Sequence, residues 1–168
     1  MNYERANVGT YIGVDPGLNG GLAYITSDGK VEAIPMPTIK KKKGQELVLD
    51  LIALWFKKQT WIQVAAIEKV HSMPKQGVAS TFKFGAGFGA IQGMFAALGI
   101  PYILVPPLLW KKTILAGLDH KEKSTSILYV NRRYPQVNLL PTERSPKPHD
   151  GMAEAICLAE YAKTYSQF

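Results

Sequence analysis

Residues 9–36 read GTYIGVDPGLNGGLAYITSDGKVEAIPM. Three short β-branched and aromatic runs, Gly9–Asp15, Gly20–Thr26 and Lys30–Met36, are divided by Pro16-Gly17 and by Ser27-Asp28-Gly29. Runs of this kind joined by tight turns predict an antiparallel three-stranded meander. Asp15 stands where the first strand leaves the sheet. Asp-Pro-Gly is a good turn on structural grounds alone. It also leaves a carboxylate beside backbone with room for a ligand.

Beyond the meander the pattern changes. Pro35–Gly44 reads as a loop containing Lys40, Lys41, Lys42 and Lys43. Gln45–Lys58 reads as a helix with Leu47, Leu51, Leu54 and Trp55 on one face. Val64–Glu68 (VAAIE) is a short apolar strand of the sheet-interior kind. Val78–Leu98 is a long helix, Tyr102–Val105 a fifth strand, and Leu108–Leu115 a short helix. Asp119 and Glu122 have capping-box spacing for a helix running to about Tyr134. A proline-rich loop, Val137–Pro148, precedes a last helix from His149 to about Tyr165, with Met152, Ala155, Ile156 and Ala159 on one face. A meander followed by alternating helices and strands predicts an α/β domain. It would have a mixed five-stranded sheet, the meander plus two parallel strands, flanked by helices. At 168 residues with no visible linker, one domain over 1–168 is expected.

Four acids stand out. Glu68 closes a buried apolar strand, which is costly unless the carboxylate pairs, for example with Lys69, or meets a cation. If its strand neighbours the first, Asp15 and Glu68 lie side by side and repel each other without a cation between them. Asp150 and Glu154 are four apart on the last helix and share a face. Asp150 is also in the first turn, where the helix dipole favours negative charge, so capping is an ordinary reading. His149 fits a capping role. Together the four acids suit hard divalent cations, which take oxygen ligands. Two such ions can activate water and stabilise the leaving oxygen of a phosphodiester.

Charge points the same way. The net charge is +7 and the pI about 9.4, which favours a polyanionic partner. Pro106–Lys147 carries eight Lys/Arg against Asp119, Glu122 and Glu143, a net +5. The single cysteine, Cys157, excludes an intrachain disulfide and suits a reducing compartment. It lies in an apolar run and reads as a small buried residue. No secretory leader or membrane span is visible, so a cytoplasmic location (the host cytoplasm for a phage protein) is expected, without secretion or membrane partner.

Four segments in series, IGVDPGLNGGLAYI (12–25), AAIEKVHSMPKQGVASTFKFGAGFGAIQG (65–93), PPLLWKKTILAG with KEKS (106–124) and HDGMAEAICLAEYA (149–162), resemble the RuvC family of Holliday-junction resolvases. The KQG segment and the DGMAEA ending are most similar to the phage and chloroplast branches. The resemblance implies an RNase H-like fold and a homodimer acting in DNA recombination and repair. It implies two divalent metals per site, Mg2+ or else Mn2+, held by the catalytic acids Asp15, Glu68 and the pair Asp150/Glu154. The activity implied is paired symmetric hydrolysis of four-way DNA junctions. Lys111 and Lys123 match DNA-contacting lysines of the family. Bacterial members have Asp-x-x-Asp before the last helix, whereas here Glu154 lies one residue further on, so either Asp150 or Glu154 is the direct ligand. The segment between Lys111 and Lys123 is also one residue longer.

Lys75 and Gln76, in the loop after Glu68, are expected to contact DNA. Phe82 is the candidate for the aromatic wedge that unpairs bases in the family, while Phe84 and Phe88 have helical spacing and read as core. Gly85, Gly89 and Gly93 give the long helix one smooth face, for a dimer partner or for this chain's own sheet. The Lys40–Lys43 run could grip phosphates or be a solvated loop. Three rival functions share some of these features: a broader nuclease on flaps, forks and replication intermediates, an actin-like nucleotide-binding domain, and a junction-binding protein without activity.

Overall fold

The computed structural model describes residues 8–69, 77–119 and 124–166. A five-stranded sheet has the spatial order β3 (Val31–Pro35), β2 (Gly21–Thr26), β1 (Thr10–Asp15), β6 (Ile62–Glu68) and β7 (Tyr102–Val105). The first three strands pair antiparallel, and β6 and β7 add in parallel to β1. Between β3 and β6 come a hairpin, β4 (Thr38–Lys40) with β5 (Gln45–Leu47), and helix α1 (Leu49–Lys58). Helices α2 (Val78–Leu98), α3 (Pro107–Ile114), α4 (Ser124–Arg133) and α5 (Asp150–Tyr165) complete the order.

The strand period of two sorts the core onto two faces. Ile12 and Val14 of β1, Leu22 and Tyr24 of β2, and Ala65 and Ile67 of β6 pack with Ile52, Trp55 and Phe56 of α1 and with Ile91 and Phe95 of α2. The alternate residues Ala23, Ile25, Val64 and Ala66 pack with α5 and with Trp110. That second face includes the small residues Ala23 and Ala66, and α5 buries Ala153, Ala155, Ala159 and Ala162. Gly13 marks the closest approach: a Cβ there would lie 2.0 Å from the Ala155 carbonyl oxygen. Cys157 is buried in this layer, and burial raises its thiol pKa.

The meander, the two parallel strands and the helices α2, α3 and α5 lie where the sequence predicts them. The stretch 35–58 differs. Its first part is not a loop but the β4–β5 hairpin, with Thr38 opposite Leu47. The helix starts at Leu49 because Gln45–Leu47 is held in that ladder. Its buried face is Ile52, Trp55 and Phe56, and Leu51 and Leu54 are exposed. The leucine spacing pointed to the wrong stripe because the aromatic pair 55–56 contributes more buried area than either leucine. At α4, helix is described from Ser124, and the Thr125 hydroxyl donates to the Asp119 carbonyl. Glu122 lies outside the described residues.

Candidate active site

Parallel pairing of β1 with β6, Val14 opposite Ile67, brings Asp15 and Glu68 to the same sheet edge at the ends of adjacent strands. The third contributor is the N-terminus of α5. Glycines allow it to come close. A Cβ on Gly151 would lie 2.3 Å from the Asn19 carbonyl oxygen, and one on Gly21 would lie 2.7 Å from the Gly151 carbonyl oxygen. The helix therefore sits directly on the β1–β2 turn, and Asp150 and Glu154 reach the side of Asp15. His149 caps the helix, its Nδ1 accepting from the Met152 N–H at 3.2 Å.

The electrostatics record this convergence. Burial, first, and then the Glu68, Glu154 and Asp150 carboxylates raise the pKa of Asp15 to about 7, against the single relief of a 3.2 Å hydrogen bond from the Gly17 N–H. Glu68 is also raised, by burial and by Glu154, while a hydrogen bond from Trp110 and the charge of Lys111 lower it. Trp110 Nε1 donates to Glu68 Oε1 at 3.1 Å, and its ring is fully buried. Lys111 Nζ pairs with Glu154 Oε1 at 3.2 Å and lies 5.1 Å from the centroid of the Trp110 ring. Asp150 Oδ1 accepts from the Gly151 N–H at 3.0 Å.

Asp15, Asp150 and Glu154 line a cleft of about 820 Å³. Its other walls are the Pro16–Gly20 turn, the hairpin residues Lys43–Leu47, and the first turns of α2 with Phe82 and Phe84. Among the described residues, no three acidic, histidine or cysteine side chains are arranged so that they hold a metal ion together as they stand. The donor set is an open wall of carboxylates. All-oxygen donors, mutual repulsion and an Asp15 carboxyl poised near neutrality fit a hard divalent cation.

The remaining candidates divide. Phe82 is 76% exposed at the cleft mouth. Phe84 lines the cleft rather than the core, whereas Phe88 packs against the α1/α2 layer. Gly85, Gly89 and Gly93 are exposed, and a Cβ on any of them would meet nothing within 4 Å, so this stripe does not pack on the chain's own sheet. Lys75, Gln76 and Lys123 lie outside the described residues. Sequence reasoning missed Trp110 as the partner of Glu68 and missed the close-approach glycines Gly21 and Gly151. The signal for the first was a tryptophan directly before Lys111; for the second, glycines flanking both acid-bearing turns.

No protein-family model matches the chain, and no curated sequence matches it. Solved structures do. The Thermus thermophilus RuvC structure is 22% identical, with a TM-score of 0.57 over 94% of this chain and 97% of that one. T. thermophilus RuvC in complex with a Holliday-junction substrate is 16% identical, with a TM-score of 0.60 over 94% of both chains. The yeast mitochondrial Holliday-junction resolvase Ydc2 is 14% identical, with a TM-score of 0.54 over 93% of this chain and 78% of that one. The sheet order, its mixed pairing and its flanking helices are thus the RNase H-like fold of RuvC-type proteins.

Proposed function

We propose that this chain is a divalent-cation-dependent DNA endonuclease that resolves four-way junctions by paired symmetric cuts. The observation that carries the reading is the meeting of Asp15, Asp150 and Glu154 in one cleft with Glu68 at the adjacent strand end, and Asp15 raised to about 7 by burial and by these acidic neighbours. Asp15 and Glu68 would hold Mg2+, or Mn2+, together with the Asp150/Glu154 pair, two ions per site. Of that pair, Glu154 acts electrostatically on both Asp15 and Glu68, so it would share a cation with them. Bound ions would supply Lewis acidity at the scissile phosphate for an in-line displacement by water.

The chain's own residues supply position and charge. Trp110 fixes the rotamer of Glu68. Lys111 neutralises Glu154 and offers a cation to a phosphate that displaces it. Phe82 projects from the cleft mouth as an apolar wedge for a base step at the crossover. Lys75, Gln76 and Lys123 are assigned to the DNA backbone and bases near it. A homodimer is assigned to the open Gly85/Gly89/Gly93 face, because a two-fold protein suits a substrate with two equivalent strands. Among the described residues no helix is long and apolar enough to cross a membrane.

Initial rates on a mobile four-way junction, a flap and plain duplex, with and without Mg2+, test the reading. Cleavage of the junction, dependent on Mg2+ and fastest of the three, is expected. Equal or faster cutting of the flap would replace it with a broader branch nuclease.

A further inference from the structure

The β4–β5 hairpin plays no part in the chemistry above, yet it forms one wall of the same cleft. Its turn is Lys41-Lys42-Lys43-Gly44, closed by the Lys41 N–H donating to the Gly44 carbonyl at 2.9 Å. Gly44 has φ +91°, a conformation that an L side chain resists. Lys40 through Lys43 are all exposed. The base of the hairpin is anchored. The Val48 N–H donates to the Pro37 carbonyl at 2.9 Å, and Glu46 pairs with Lys83 of α2 at 3.8 Å. Leu47 packs so closely on α2 that a Cβ on Gly87 would lie 2.7 Å from its Cδ1. Lysines on a solvated loop would have no fixed place. Here Lys40 ends β4, the other three sit on a closed turn with a fixed base, and Lys43 lines the cleft that also holds Asp15, Asp150 and Glu154.

The juxtaposition has an electrostatic meaning. A carboxylate-lined wall repels a polyanion, and DNA carries one charge for about every 1.7 Å of duplex axis. A strand can approach that wall only if an attractive charge stands beside it. Lysine ammonium groups are compact point charges on flexible stems, suited to phosphates in any sequence. We propose that the Lys40–Lys43 tip of the hairpin is a backbone clamp that grips the phosphates of a DNA arm as it leaves the cleft. The hairpin anchor holds that arm in register with the acids. This inference rests on the reading of the cleft as a DNA-cutting site.

The test compares two charge-matched variants, K42A/K43A and K57A/K58A, the latter at the exposed end of α1. Binding of a labelled four-way junction is measured from 50 to 300 mM salt in an Asp15→Asn background. Removing one lysine that neutralises a phosphate should lower the slope of log K against log salt by about 0.9. K42A/K43A is expected to lower that slope by about 0.9 to 1.8 and to bind about tenfold more weakly at 100 mM salt. K42R/K43R should restore both, and K57A/K58A should retain the parental slope. Equal slopes for K42A/K43A and the parent, or equal reductions in the two alanine pairs, would overturn the clamp. If the chain with Asp15 intact cuts no DNA in Mg2+, the nuclease reading itself fails, a result distinct from a clamp that is absent in a protein that cuts.

Discussion

Asp15 is a carboxylate held near half-protonation at neutral pH by burial and by three acidic neighbours. Its folded pKa of about 7 lies above its ordinary 3.8, so between those values the folded state binds more protons than the unfolded one. Stability without divalent cations should therefore fall as pH rises through this window. Thermal melts in EDTA from pH 5 to 8 should show Tm decreasing. Mg2+ should restore it at pH 8, because a cation bound only by the folded state stabilises that state. Asp15→Asn should flatten the EDTA profile, remove the Mg2+ gain and abolish cleavage while leaving junction binding intact. A Tm that rises with pH in EDTA would contradict the crowding of acids. Trp110→Phe separates positioning from packing. Without its hydrogen bond the Glu68 pKa rises further, so the acid limb of the pH–rate profile should move to higher pH. The rate should drop about tenfold or more at pH 6, from about 1.5–3 kcal/mol for a hydrogen bond to a charged group, and less at pH 8.5. An equal drop at both pH values would indicate a packing role alone.

Elements explain why these side chains meet. The approach of α5 to the β1–β2 turn depends on Gly21 and Gly151, where added Cβ atoms would run into backbone. Gly151→Ala should destabilise the fold by about 1–3 kcal/mol and lower cleavage by more than its Tm change explains, because it moves Asp150 away from Asp15. Chemical denaturation and single-turnover rates check this; unaltered rates would mean the approach is not needed. This level also marks what the sequence could convey. The meander was legible because its turns, Pro16-Gly17 and Ser27-Asp28-Gly29, are local signals. Val78–Leu98 and Tyr102–Val105 were legible because each is a long or apolar run with clear ends. The β4–β5 hairpin was not, because its strands are only three residues each and its anchor, Leu47 on Gly87, is a contact 40 residues away in sequence. Asp15, Glu68 and Asp150 could be picked out as carboxylates at the ends of elements, and Glu154 by its spacing from Asp150. The Trp110–Glu68 bond, spanning 42 residues, could not.

At the scale of the molecule, α2 is mostly apolar, yet only Ile91 and Phe95 of it are buried, with Phe88, Met94 and Leu98 partly so. Its open glycine face is assigned to a second copy. Gly89→Leu should leave the monomer fold intact, since nothing stands within 4 Å of the new side chain's first atom, and should raise helix propensity by about 1 kcal/mol. Sedimentation equilibrium should show at least a tenfold weaker dimer, and an unchanged dimer would move the interface elsewhere. Two acid clefts related by a two-fold axis would then address two strands of opposite position in one junction. The most direct test is therefore cleavage of a four-way junction labelled on each strand in turn, with every cut mapped in Mg2+. Two nicks at symmetric positions on opposing strands, absent in Asp15→Asn, are predicted. Scattered or single-strand cuts, or paired cuts that persist in Asp15→Asn, would contradict the account.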